Sequence, residues 1–214
     1  MDIRESLYLD DYPYFQTRCF VRWLPLRLTA SEECHIVAVS PDHDLRTFKA
    51  IKSDDTNNCK FAATDPLNIL SREKSVPNGT YVPVTIQSTK SETFDQKNQR
   101  QTTDLITFLK KNVQVKRIVD VLLISSDSYG LLNLFYKGNQ LEKAQINVCQ
   151  INFLFRPPAS RLERLQFADV QYNFLLDNKY IPLKIQRISK DEQLIFYINI
   201  GDHLCVQRYL ADIL

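Results

Sequence analysis

Glycine is so scarce in this chain that its absence restricts the architectures available: Gly79, Gly130, Gly138 and Gly201 are the only four in 214 residues. Phosphate-cradling loops and dinucleotide folds use clustered glycines so that backbone can approach the ligand closely. Neither G-x-G-x-x-G nor G-x-x-x-x-G-K occurs. Nucleotide-dependent chemistry is therefore not expected, and no cofactor is expected. The remaining composition, 44% apolar and 24% charged, is that of an ordinary globular protein long enough to build a core without staples.

The opening MDIRESLYLDDYPYF is acidic and lacks a signal-like apolar core, and no stretch is long and apolar enough to span a bilayer. Cys19, Cys34, Cys59, Cys149 and Cys205 are odd in number and scattered, with no C-x-x-C pair. They read as reduced, buried thiols of a cytoplasmic or nuclear protein. Residues 1–107 hold 13 Lys and Arg against 15 Asp and Glu, and residues 108–214 hold 14 against 10. This lean permits RNA contact without implying it.

Strand patterns appear at 17–28 and 35–40, followed by a helix signal at Ser40-Pro41 with Leu45, Phe48 and Ile51 at helical spacing. Asp65-Pro66 repeats that signal. VPNGT at 76–80 is a turn, TYVPVTIQS a strand, and the polar stretch 88–101 the preferred internal linker. Thr102 or Thr103 then caps a helix over DLITFLKKN. VKRIVDVLLI, LLNLFY and KAQINVCQINFLF follow as strands, with a turn at Gly138-Asn139. Pro157-Pro158 ends the run, and Ser160 with Glu163 forms a capping box for a short helix through Leu165. FADVQYNF, YIPLKIQRIS, QLIFYIN and HLCVQ are four more strand candidates before a last helical turn, RYLADIL.

Residues 177–214 run an acidic turn, an aromatic-bearing strand, the charged hairpin KDEQ, the turn FYINIGD and the closing YLADIL. This order resembles the Tudor family. The resemblance implies an α+β chain: an N-terminal mixed α/β region over 1–156, in which 113–156 reads as a first Tudor-like or OB-like β unit, and a small barrel over 160–214. LLISSDSYGLLNLFYKGN parallels the C-terminal segment and suggests a duplication. The cage for a methylated cation would fall on Tyr172, Tyr180 or Ile181, Tyr197, Ile200 and Asp202. Only two or three of these are aromatic, and Ile200 stands where the signature turn carries an aromatic, so methylarginine binding is expected to be weak or absent.

The leading expectation is a non-enzymatic scaffold docking a protein with an arginine-rich tail, of the kind found in ribonucleoprotein or RNA-silencing assemblies, through acids such as Asp177, Asp191 and Asp202. No membrane and no small-molecule substrate are expected. The alternative is an OB-like single-strand binder that stacks bases on Tyr172, Tyr180, Phe196 and Tyr197 while Lys179, Lys184 and Arg187 follow the phosphates. A third reading buries Phe15, Phe20 and Trp23 against an obligate partner. Cys34, His35, His43 and Cys59 lack the spacing of a compact zinc set, so no metal is expected. Asp10-Asp11 and Asp54-Asp55 read as solvated turns, and no local catalytic signature stands out.

Overall fold

The computed structural model describes residues 10–13, 20–24, 33–39, 59–67, 79–87, 94–95, 100–125, 129–187 and 192–211. The expected helix over Ser40–Ile51, the pair Asp54-Asp55, Phe15, Cys19, His43 and Asp191 lie outside them.

The strands are β1 (Asp10–Pro13), β2 (Phe20–Trp23), β3 (Cys34–Val39), β4 (Cys59–Thr64), β5 (Thr80–Val82), β6 (Val84–Gln87), β7 (Phe94–Asp95), β8 (Arg100–Asp104), β9 (Ile118–Ser125), β10 (Asn147–Phe155), β11 (Tyr180–Arg187) and β12 (Gln193–Asn199). Seven of them form one sheet in the order β5-β4-β3-β9-β10-β12-β11. From β5 to β10 all neighbours are parallel, while β12 is antiparallel to both β10 and β11. The chain builds outward from β3 through β4 to β5, returns to the other side of β3 with β9 and β10, and finally inserts β12 between β10 and β11. This is a doubly wound α/β sheet whose direction of growth reverses between β3 and β9.

The expected α+β chain with a C-terminal Tudor-like barrel is thereby corrected. Residues 160–214 supply a long helix, two strands at one margin of the large sheet and a short helix, and β12 pairs with β10 from Gln150 to Phe155. The runs IVDVLLIS and NVCQINFLF are buried along almost their whole length. Strands of a parallel sheet are covered on both faces, so they read as continuous apolar runs rather than as the alternation of a half-wet barrel. Along β12 the two faces separate cleanly: Ile195 and Tyr197 enter the larger core, and Phe196 and Ile198 a second core with Cys205 and Tyr209.

Local differences have local causes. FADVQYNF is helical because Phe167, Val170 and Phe174 recur at i, i+3 and i+7, and all three pack on the larger core. It continues α3 (Arg161–Leu176), whose capping box is formed as expected: Glu163 N–H donates to Ser160 Oγ (3.1 Å) and Ser160 N–H to Glu163 Oε2 (3.0 Å). LLNLFY lies in a 3-10 segment (Tyr129–Phe135), followed by α2 (Gln140–Lys143), so it does not repeat the strand β12 and the proposed duplication has no structural counterpart. HLCVQ belongs to α4 (His203–Tyr209). TYVPVTIQS divides at Pro83, which has no N–H to donate, and its halves join different sheets. The stretch expected to be a linker ends in β8. The cap of α1 (Leu105–Thr107) is Asp104, which accepts from Thr107 N–H at 2.9 Å, rather than Thr102 or Thr103. Asp10 and Asp11 lie in β1, paired with β2.

Two disulfides join Cys34 to Cys59 and Cys149 to Cys205. The first links the leading residues of neighbouring strands β3 and β4, and the second holds α4 on β10. The expectation of reduced thiols is corrected at these four positions, and Cys34 and Cys59 are spent as cystine rather than as zinc ligands. No helix among the described residues is long and apolar enough to cross a membrane.

Candidate functional site

In an open α/β sheet ligands bind in the crevice outside the carboxyl ends of the strands, where the direction of growth reverses, which here is between β3 and β9. The described residues at this edge are Val39 at the end of β3, Thr64 and Asp65 at the end of β4, and Ser125 at the end of β9. Thr64 is fully buried and Asp65 is 2% exposed. The Asp65 N–H donates to Val82 O (2.6 Å), which ties the strand end to β5 and fixes the start of the turn through Pro66. A carboxylate at the end of the strand next to the first is the group that doubly wound folds use to accept hydrogen bonds from a ribose diol.

The other element of a dinucleotide site is missing. No glycine occurs between β3 and β4, or anywhere before Gly79. A pyrophosphate needs glycine there for close backbone approach. The sequence therefore lacks the glycine cradle of a dinucleotide site. In the sequence, Asp65-Pro66 reads only as a helix start. The available signal was an acid directly after the second of two apolar, β-branched or small-residue runs.

The expected cage residues do not surround one cavity. Tyr172 is exposed on α3, Ile181 is half-buried, and Ile200 is on the surface. Tyr180 and Tyr197 are core residues. The Tyr180 hydroxyl donates to Val148 O (2.8 Å), the Tyr197 hydroxyl donates to Gln171 Oε1 (2.7 Å), and both rings pack against Phe174. Burial pushes both phenols well above their ordinary range. Asp202 caps α4 by accepting from Leu204 and Cys205 N–H. Asn199 Oδ1 accepts from Gly201 and Asp202 N–H, so the supposed signature turn is a side-chain-closed turn leading into a helix. Lys184 and Arg187 are exposed on β11 at the sheet margin, whereas Lys179 is buried beside Glu142. Asp177 Oδ2 accepts from Lys137 N–H (2.8 Å). No grouping of three or more metal-ligating side chains occurs among the described residues.

At the opposite, amino-terminal edge, Asp120 on β9 is completely buried. It accepts from Arg208 Nη1 (2.6 Å), the Tyr209 hydroxyl (2.9 Å) and His35 N–H (2.9 Å), binding α4 to β9 and β3. The His35 ring is buried alongside, and burial holds its pKa below the ordinary value. The Asp120 carboxylate is buried, and Arg208, Tyr209 and His35 donate to it from within the protein, which marks the cluster as structural.

Neither a family model nor a curated protein matches the sequence. Among solved structures, a fibrillarin pre-rRNA processing protein of Methanococcus jannaschii is similar at 9% identity and a TM-score of 0.48, covering 83% of this chain and 72% of that one. A human methyltransferase 10 domain containing protein matches at 10% identity and 0.48, covering 81% and 74%. A delta-N METTL16 MTase domain matches at 11% and 0.49, covering 81% and 74%. Likeness at this level carries no conclusion about activity, and the architecture stands on the strand order itself. Two of these three structures carry methyltransferase names, and none is a Tudor barrel. The Tudor resemblance, the OB-like alternative and the assignment as a non-enzymatic scaffold all depended on a C-terminal barrel, and they are withdrawn with it.

Proposed function

We propose that the crevice between the carboxyl ends of β3, β4 and β9 binds a ribose-bearing cofactor without a pyrophosphate, that this cofactor is S-adenosyl-L-methionine, and that the chain is a methyltransferase. The observation that carries this reading is the buried Asp65 at the end of β4, beside the reversal of the sheet, in a chain with no glycine cradle. Asp65 would accept the two ribose hydroxyls, and Val39 and Thr64 would bound the crevice floor. When bound, the cofactor supplies an electrophilic methyl group. The protein's part is to hold it against a nucleophile and keep water away. This sets aside the expectation that no small molecule is bound.

The methyl acceptor belongs to the partner classes expected from the sequence, a protein with basic side chains or an RNA, and supplying each in turn with labelled cofactor separates them. The paired cysteines favour an oxidising compartment over the cytoplasm or nucleus. Calorimetric titration tests the cofactor. The chain is expected to bind S-adenosyl-L-methionine and its demethylated product saturably, NAD at least tenfold more weakly, and Asp65→Asn is expected to lose at least tenfold for all ribose-bearing ligands. Preference for NAD, or wild-type affinity in Asp65→Asn, would refute the assignment.

A further inference from the structure

A second cleft lies at the amino-terminal edge of the sheet, about 26 Å, the length of an eight-residue strand, from the crevice described above. Its walls come from the segments entering β9, β10 and β11 and from the turn leaving β12, and it encloses about 520 Å³. Four cations line it, Lys116, Arg117, Lys137 and Lys179, against two carboxylates, Glu142 and Asp202.

Both carboxylates are engaged by the protein. Asp202 caps α4 through one oxygen and accepts from Asn147 Nδ2 (2.5 Å) through the other. Glu142 Oε2 accepts from Gly138 N–H (2.8 Å) and lies 3.6 Å from Lys179 Nζ. That last separation is an ion-pair distance, longer than a hydrogen bond. The Lys179 side chain is 8% exposed, yet its ammonium has three hydrogens to place. Burying an ammonium is costly unless those hydrogens find acceptors. Lys179 approaches the turn closely at Gly201, where an added Cβ would lie 3.1 Å from Lys179 Cα and the neighbour would have to give by a few tenths of an ångström. The side chains of Lys116, Arg117 and Lys137 are exposed at the rim.

We infer that this cleft is a binding site for a small phosphorylated ligand, with Lys179 at its floor and Lys116, Arg117 and Lys137 around its mouth. Oxyanions match clustered ammonium and guanidinium donors, and charge-assisted hydrogen bonds are the stronger kind. The volume is that of a small-molecule site, and its lining carries no aromatic ring on which nucleic-acid bases could stack. The site does not depend on what occupies the carboxyl edge.

Titration of inorganic pyrophosphate into the full chain with its disulfides intact, at low salt, tests the inference. The wild type is expected to bind saturably and more weakly as salt rises. Lys137→Ala, on the rim, is expected to weaken binding at least tenfold, and Lys179→Met to abolish it. Glu142→Gln, which keeps an acceptor for Gly138 N–H but removes the competing charge, is expected to tighten binding severalfold, an effect a purely structural Lys179–Glu142 pair would not produce. Absence of saturable heat, wild-type affinity in Lys137→Ala, or no tightening in Glu142→Gln would overturn the site. A single-stranded oligonucleotide binding over a hundredfold more tightly than pyrophosphate would overturn the small-ligand assignment. Because Lys137 is exposed, its variant remains decisive even if Lys179→Met fails to fold.

Discussion

Replacing Arg208 by methionine removes the cation that pairs with Asp120 on the middle strand β9. The Arg208 Nη1–Asp120 Oδ1 separation is 2.6 Å, and the two side chains are 11% and 0% exposed. Without the guanidinium, Asp120 keeps only the Tyr209 hydroxyl and His35 N–H as donors. Breaking a buried pair on one side leaves an uncompensated charge and costs about 3–5 kcal/mol. For a chain of this length that lowers the melting midpoint by roughly 6–20 °C. The double variant Asp120→Asn with Arg208→Met removes both charges while keeping an acceptor for Tyr209. It is expected to recover most of the loss, because a buried ion pair is often close to neutral against an uncharged replacement. Urea unfolding of the wild type, both single variants and the double variant completes a double-mutant cycle. A cost below about 1 kcal/mol for Arg208→Met, or a double variant no more stable than that single variant, would refute the description of Asp120 as a buried, charge-paired anchor for α4.

Two further outcomes bear on the same frame. Ser160→Ala removes the side-chain acceptor of the α3 capping box and should lower stability by about 1 kcal/mol, read from the urea midpoint. His35 should make stability fall in mild acid: burial lowers its pKa in the folded state, so below the unfolded value near 6.5 the unfolded chain binds the proton more readily. The contribution is intact above that pH and is lost as pH drops towards the folded value. Urea midpoints at pH 7.5 and 5.5 should therefore differ more for the wild type than for His35→Gln, and an equal difference would contradict the assignment.

Individual elements were more legible in the sequence than their assembly. β3, β9, β10, β11, β12 and the Ser160–Glu163 box all follow from short-range pattern, because alternation, apolar runs and capping are local chemistry. Misreadings arose where one string satisfied two periods. FADVQYNF can be drawn as an alternating strand, but Phe167, Val170 and Phe174 bury as a helical stripe only when a sheet lies beneath them. HLCVQRYL likewise carries Cys205 and Tyr209 at i and i+4, both buried against β10 and β12. The insertion of β12 between β10 and β11 is a long-range pairing that nothing near QLIFYIN encodes, and without it strand, hairpin, strand and turn resemble a small meander. Scarcity of glycine constrains the fold only narrowly. It excludes a pyrophosphate cradle, but a doubly wound sheet can form without one. Asp65 was visible only as a cap beside a proline, since its place at the carboxyl edge depends on β4 lying next to β3.

Hydrogen–deuterium exchange with and without saturating S-adenosyl-L-methionine tests the central assignment most directly, because it locates the ligand on the sheet. Slowed exchange is expected in peptides covering Val37–Val39 and Thr64–Leu67 at the carboxyl edge, with none at Lys179 or at Gly201 and Asp202 on the opposite edge. Protection confined to that opposite edge, or no protection under conditions that saturate binding, would contradict a cofactor site at the reversal of the sheet.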